Sequence, residues 1–341
     1  MRKRASATLI LAALVVLSVL PSITQAEAAT DREGVPQFGH VFLIIGENTT
    51  YSHLKMSNAP YLLGDLKPRS AWLTNYRGAT HWSQANYVAL TSGQFTKCEQ
   101  QDYGISCHQN VDNLFHQLDV ANGTWHGAWT TWLEGGTARC DTGSGSLCEP
   151  KDACPVTGFY TTGNPAILYD NVEGANGAWS ETNRSQECIA NDIYAGGEQR
   201  PMGFFNDALA SGTVPDFNLV LPNGCEDGEA NCKPVNNRYR QFDLFLQHEI
   251  PKIEASPAFG SDGMIVVTYD ESEREGGLAK KWGYGMGGHV VCALIGPQVR
   301  PGTYDGAYYH YSLLRTLEDG FRVNGHVGYA NDVTAISHVW R

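Results

Sequence analysis

Four stretches of the chain are apolar almost without interruption: HVFLIIG (40–46), DFNLVLP (216–222), GMIVVTYD (263–270) and HVVCALIGP (289–297). None alternates strictly between apolar and polar, so each predicts a strand buried on both faces, as in a mostly parallel sheet covered by helices. Helical spacing separates the strands. DNLFHQLDVANG (112–123) opens on Asp112 as an N-cap and closes at Gly123, while NNRYRQFDLFLQHEIPKI (236–253) sets Tyr239, Phe242, Leu246 and Ile250 on one face. Pro251 is expected to kink or end that second helix. A shorter helical pattern, QANYVALTS, follows Ser83 and stops at Gly93. The pattern is that of an α/β protein, and no linker or repeat divides residues 30–341, which read as one domain.

Between residues 98 and 190 the character changes to Gly, Ser, Thr, Asn and Cys with Trp125, Trp129 and Trp132 interleaved. The expectation is a loop-rich, disulfide-stapled insertion whose tryptophans form a small core of their own. Nine cysteines support stapling. Close spacing favours Cys98 with Cys107 and Cys225 with Cys232; Cys140, Cys148, Cys154 and Cys188 supply the rest with pairing left open, and Cys292, inside an apolar strand, is the odd buried thiol. No CxxC pair speaks for zinc. Oxidised cysteines fit the N-terminus, where Arg2, Lys3 and Arg4 precede an apolar run and then TQAEAA. Residues 1–29 therefore read as a secretory signal peptide cleaved after Ala26 or shortly beyond, which makes the protein extracellular.

Charge narrows the partners. The full chain carries 24 Lys+Arg against 36 Asp+Glu, a net −12, and loss of the three leader cations gives 21 minus 36, or −15. So acidic a surface argues against nucleic acid and suits a site that gathers cations. No later stretch is long and apolar enough for stable membrane insertion.

Acidic and amide residues collect where the apolar runs end: Glu47 and Asn48 after the first, Asn223, Glu226, Asp227 and Glu229 after the second, Asp270 and Glu271 at the third. In open α/β sheets ligands bind beyond the carboxyl ends of parallel strands, so adjacent strands would bring these acids into one crevice. Without a cation they would repel one another, and a divalent metal on oxygen ligands resolves that. Ser83, at a helix N-terminus where N–H groups favour an anion, is the candidate oxygen nucleophile, with helix capping as its plainer role. His81 and Asn86 flank it as donors to a phosphate oxygen. His289 follows Gly287 and Gly288 as a metal ligand or leaving-group donor, and His310 precedes a helix in a supporting position.

GENTTYSHL, HWSQANYVALTSG, DFNLVLPN, IVVTYDES, GGHVVCALIGP and HYSLLRTLEDGF, in this order from about residue 38 to 330, make the chain resemble the phosphoesterase family of bacterial and plant phospholipases C and secreted acid phosphatases, a branch of the alkaline phosphatase superfamily. The resemblance implies a three-layer α/β/α fold in which Glu47, Asn48, Asp270 and Glu271 hold a metal ion, Ser83 is transiently phosphorylated and His289 acts near the metal. Two positions depart from the family pattern. Ser52 stands where an acid is usual, and the GCEDGEANC segment has no histidine, leaving Asp227 as its candidate ligand.

The resulting expectation is a secreted, metal-dependent phosphomonoesterase of acid-phosphatase type, acting on a small phosphoester. A phospholipase C cleaving phospholipid headgroup diesters, and a noncatalytic secreted binding protein on the same fold, are the alternatives. Residues 83–87 read SQANY, not a sulfatase Cys/Ser-x-Pro-x-Arg, and no GxSxG elbow supports serine-hydrolase chemistry.

Overall fold

A computed structural model describes residues 32–94, 106–123, 127–136, 139–140, 163–174, 184–197, 199–273 and 285–341. The expected leader, Trp125, Cys98, Cys148 and Cys154 lie outside these. The strands are β1 Val41–Gly46, β2 Ala71–Arg77, β3 Trp129–Leu133, β4 Asp192–Tyr194, β5 Phe217–Leu221, β6 Met264–Tyr269, β7 His289–Ile295, β8 Gly302–Tyr304 and β9 Tyr308–Tyr309. The helices are α1 Lys67–Arg69, α2 Ser83–Ser92, α3 Leu114–Asn122, α4 Asp170–Glu173, α5 Gln186–Asn191, α6 Gly203–Ser211, α7 Arg238–Ala255 and α8 His310–Gly320. No described helix is long and apolar enough to cross a membrane.

One sheet runs in the order β4-β3-β5-β1-β6-β7-β2-β8, with β9 also paired to β2. β7 alone runs against its neighbours, β6 and β2. The four apolar runs thus lie side by side as β5-β1-β6-β7, buried throughout apart from His289 at the start of β7. Side-chain alternation then sorts the core into two faces. Phe42 packs on Phe205 of α6 and Tyr269 on Phe242 of α7. On the opposite face Phe217 packs on Phe115 of α3 and on Phe321, which ends α8. Helices therefore cover both faces, a three-layer α/β/α arrangement.

Part of the 98–190 stretch is not insertion at all. β3 pairs in parallel with β5, and Trp129 and Trp132 are buried on opposite faces of the main sheet rather than in a separate core. Each indole N–H finds an acceptor, on Asp119 at 3.0 Å and Asn218 at 2.9 Å, which makes burial of such polar rings tolerable. The cap of α3 is Asn113, whose side chain accepts from His116 N at 3.1 Å; Asp112 instead accepts from the His116 ring. Pro251 does not end α7, which continues to Ala255. Cys140 pairs with Cys188 and Cys225 with Cys232, Cys107 is disulfide-bonded, and Cys292 is a buried free thiol.

α8 carries a buried acid with a testable signature. Glu318 accepts from Val327 N at 2.8 Å, and burial raises its pKa from 4.5 to about 8. A raised acid favours the protonated fold, so its contribution to stability is complete below pH 4.5 and is lost as pH climbs through 8. Melting temperature is expected to fall from pH 5 to 9, and Glu318→Gln to flatten the decline by up to roughly 1.4 kcal/mol per pH unit. Superimposable melting curves against pH for the two proteins would contradict this.

Candidate active site

Strand polarity and residue parity build the site. β1 and β6 are parallel with Gly46 opposite Tyr269, so Glu47 and Asp270 leave adjacent strands at one edge and on one face. Backbone hydrogen bonds continue past the strands: Asp270 N donates to Gly46 O at 3.0 Å, Thr49 N to Glu271 O at 3.0 Å and Glu47 N to Asp227 O at 2.8 Å. The loop after β5 is thereby tied to the same edge. β2 points in the same direction and leads into α2, while antiparallel β7 starts there, so His289 arrives by its strand's beginning.

Ser83 is the first residue of α2 and not its cap. The cap is Trp82, held at φ 94°, a conformation costing about 1–3 kcal/mol for a residue with a Cβ. Asn86 explains how it persists. Its Oδ1 accepts from Ala79 N and Thr80 N at 2.9 and 3.0 Å, and its Nδ2 donates to Thr80 O and Trp82 O at 2.8 and 3.3 Å. Asn86 thus spends its amide on the turn that presents Ser83. Glu271 adds support, accepting from Trp82 N at 3.0 Å through one oxygen and sharing a hydrogen bond with His81 Nδ1 through the other.

The released Ser83 hydroxyl donates to Glu47 Oε2 at 2.8 Å. One turn on, Tyr87 donates to Glu47 Oε1 at 2.6 Å, so a pair at i and i+4 grips both oxygens of one buried carboxylate. Ser83 also stands beside Asp270 and favours its ionised form. Asn48, at φ 36°, donates its N–H to Asp270 Oδ1 at 3.0 Å and its side-chain amide to Glu229 at 2.8 Å. A small cleft next to Glu47 is lined by Ile45, Tyr87, Gly163, Leu221, Pro222 and Asp227.

Glu47, Asn48, Asp227, Asp270, Glu271, Ser83 and His81 are therefore gathered at one edge. His289 shares that edge with its ring stacked on Tyr51, centroids 4.1 Å apart. Close approach of the backbone matters there: Gly288 sits at φ 76°, and a Cβ on it would meet Ser272 Oγ at 1.9 Å. His310 is wholly buried, between the Tyr76 hydroxyl and the Asp270 carbonyl, and burial lowers its pKa to about 4, so it serves as a neutral strut under Asp270. Tyr87 has no role in the sequence reading, although its i+4 spacing from Ser83 was the available signal.

Electrostatically the site is an acid cluster under strain. Burial first, then the charge on Asp270, holds Glu47 well above the carboxylate range; burial and Glu47 do the same to Asp227, and burial and Glu271 to Asp270. Asp270 Oδ2 and Asn48 Oδ1 are buried and accept no hydrogen bond among the described residues. Unsatisfied oxygens beside mutually repelling carboxylates fit a divalent cation on hard oxygen donors, so the residues present suit such an ion.

The chain is similar to several known proteins. The chain is 25% identical over 320 residues to a protein of Kluyveromyces lactis named "Probable acid phosphatase", covering 92% of this chain and 66% of that one. It is 22% identical over 337 residues to the "Phosphatidylinositol-3-phosphatase" of Mycobacterium tuberculosis, covering 97% and 92%. Among solved structures, an alkaline phosphatase superfamily protein of Vibrio parahaemolyticus superposes with a TM-score of 0.51 at 14% identity, covering 82% of this chain and 66% of that one. The C-terminal periplasmic domain of EcEptC from Escherichia coli, in complex with Zn, superposes at 0.50 and 12%, covering 89% and 87%. The family model described as "Phosphoesterase family" matches residues 70–324, three quarters of the length, and the chain belongs to that family.

Proposed function

We propose that the protein is a metal-dependent phosphomonoesterase that works through a phosphoserine at Ser83. The observation that carries this reading is the Ser83 hydroxyl, presented by a strained turn at a helix N-terminus and hydrogen-bonded to Glu47. A divalent cation held by Glu47, Asn48, Asp270 and Glu271, with Asp227 beside them, would neutralise phosphate charge and make the serine alkoxide accessible near neutral pH. The protein's own groups do the rest. N–H groups at the start of α2 attract the phosphoryl oxygens. Ser83 Oγ forms a bond to phosphorus as the bond to the leaving alcohol breaks in line, and water then breaks the Oγ–P bond to release phosphate. His81, partly solvent-exposed and oriented by Glu271, is placed to hand a proton to the leaving oxygen, with His289 as the other candidate. Asn86 contributes by holding the turn.

Names of relatives bear on substrate. An acid phosphatase and a phosphatidylinositol-3-phosphatase both imply monoester cleavage, and the second brings in monoesters carried on a lipid headgroup. Export through residues 1–29 completes the reading and is supported by the disulfides, which persist in oxidising compartments. The test is a panel of p-nitrophenyl phosphate, phosphatidylinositol 3-phosphate and phosphatidylcholine, with and without chelator. Chelator-sensitive release of phosphate from the monoesters is expected. Turnover of phosphatidylcholine alone would assign a phospholipase C instead, and inertness of the metal-loaded protein toward all three would assign a binding protein.

A further inference from the structure

We propose a second divalent-metal site, structural in role, formed by His108, Asp170 and Glu173. Each offers one ligand atom, and the three atoms lie within 4.8 Å of one another. The fold brings them together by two local devices. A parallel bridge joins Gln109 to Tyr169, with Gln109 N donating to Leu168 O at 2.7 Å and Asp170 N to Gln109 O at 3.1 Å, which sets His108 beside Asp170. The α4 turn then places Glu173 three residues on, over the same face.

Spacing and partnering point to an ion. His108 Nδ1 and Asp170 Oδ1 face each other at 3.6 Å, too far for a hydrogen bond, and both atoms are buried without a hydrogen-bond partner among the described residues. Tetrahedral bonds of about 2.0–2.2 Å put neighbouring ligand atoms roughly 3.4 Å apart, close to the separation seen. Glu173 is fully buried and completes the set with a second carboxylate. One imidazole and two carboxylates suit zinc or a similar intermediate ion. The His108 and Asp170 side chains keep 19% and 12% of their surface exposed, which provides an entry path.

Such an ion would tie the chain at 108 to the chain at 170–173. Tyr169, next to Asp170, is hydrogen-bonded through its hydroxyl to Thr91 Oγ1 at 2.6 Å on α2. The clip therefore braces the helix that carries Ser83, about 12 Å along its axis from the nucleophile.

The experiment separates this site from the acid cluster. Chelator-treated full-length protein carrying Asp270→Asn is titrated with Zn²⁺ alone, reading metal per chain and melting temperature. One equivalent with a rise of several degrees is expected, and adding His108→Gln abolishes both. In the otherwise native protein, His108→Gln or Asp170→Asn should each lower the zinc content by one equivalent. The site is refuted if the Asp270→Asn protein takes up no zinc, or if zinc content is unchanged by both substitutions.

Discussion

Replacing Ser83 by alanine is expected to lower phosphoester turnover by a factor on the order of 10³ or more, since the proposed phosphoserine can no longer form. The change removes one hydroxyl that donates to Glu47 and leaves intact the Asn86 contacts that shape the turn. Loss of a single hydrogen bond is worth about 1 kcal/mol, so the fold should survive with a melting temperature within a few degrees of the parent. Acid-quenched parent protein mixed with substrate should carry phosphate on Ser83 by mass spectrometry, and the alanine protein none. Full turnover by the alanine protein would show that the nucleophile lies elsewhere.

Glu47→Gln should separate stability from activity. Glu47 is buried against Asp270, Asp227 and Glu229, and its charge is opposed by burial and by those neighbours. A neutral isostere that still faces Ser83 and Tyr87 relieves that opposition, and the relief grows as pH rises above the ordinary carboxylate range. Because the folded pKa is raised, the relief should vanish as pH falls below the ordinary carboxylate range. Metal-free Glu47→Gln is therefore expected to melt above metal-free parent, by about 2–4 °C per kcal/mol relieved, while phosphoester turnover drops by orders of magnitude. Calorimetry at pH 4 and pH 8 beside a p-nitrophenyl phosphate assay decides the matter. A lower melting temperature at pH 8 would mean that the ionised carboxylate stabilises the metal-free fold.

The central strands and the acid edge were legible in the chain because burial on both faces writes continuous apolar runs, and a parallel neighbourhood sends the ends of those runs to one place. β3 was not legible. Its Trp-Thr-Thr-Trp pattern sits between Gly- and Cys-rich stretches, and only its pairing with β5 and the acceptors at Asp119 and Asn218 reveal it as core. Pro251 does not end α7 because Phe242, Phe245, Leu246, Ile250 and Ile253 hold the helix in the core, which outweighs the missing N–H bond. The i+4 spacing sets Tyr87 on the Ser83 face of α2, but its grip on Glu47, 40 residues away, comes from the tertiary fold.

Cys292 lies in the middle of β7 with no solvent exposure, and burial lifts its thiol well above the usual range. A soluble thiol reagent can reach it only when the sheet comes apart. Its labelling rate therefore clocks global opening under native conditions, free of interference from surface breathing.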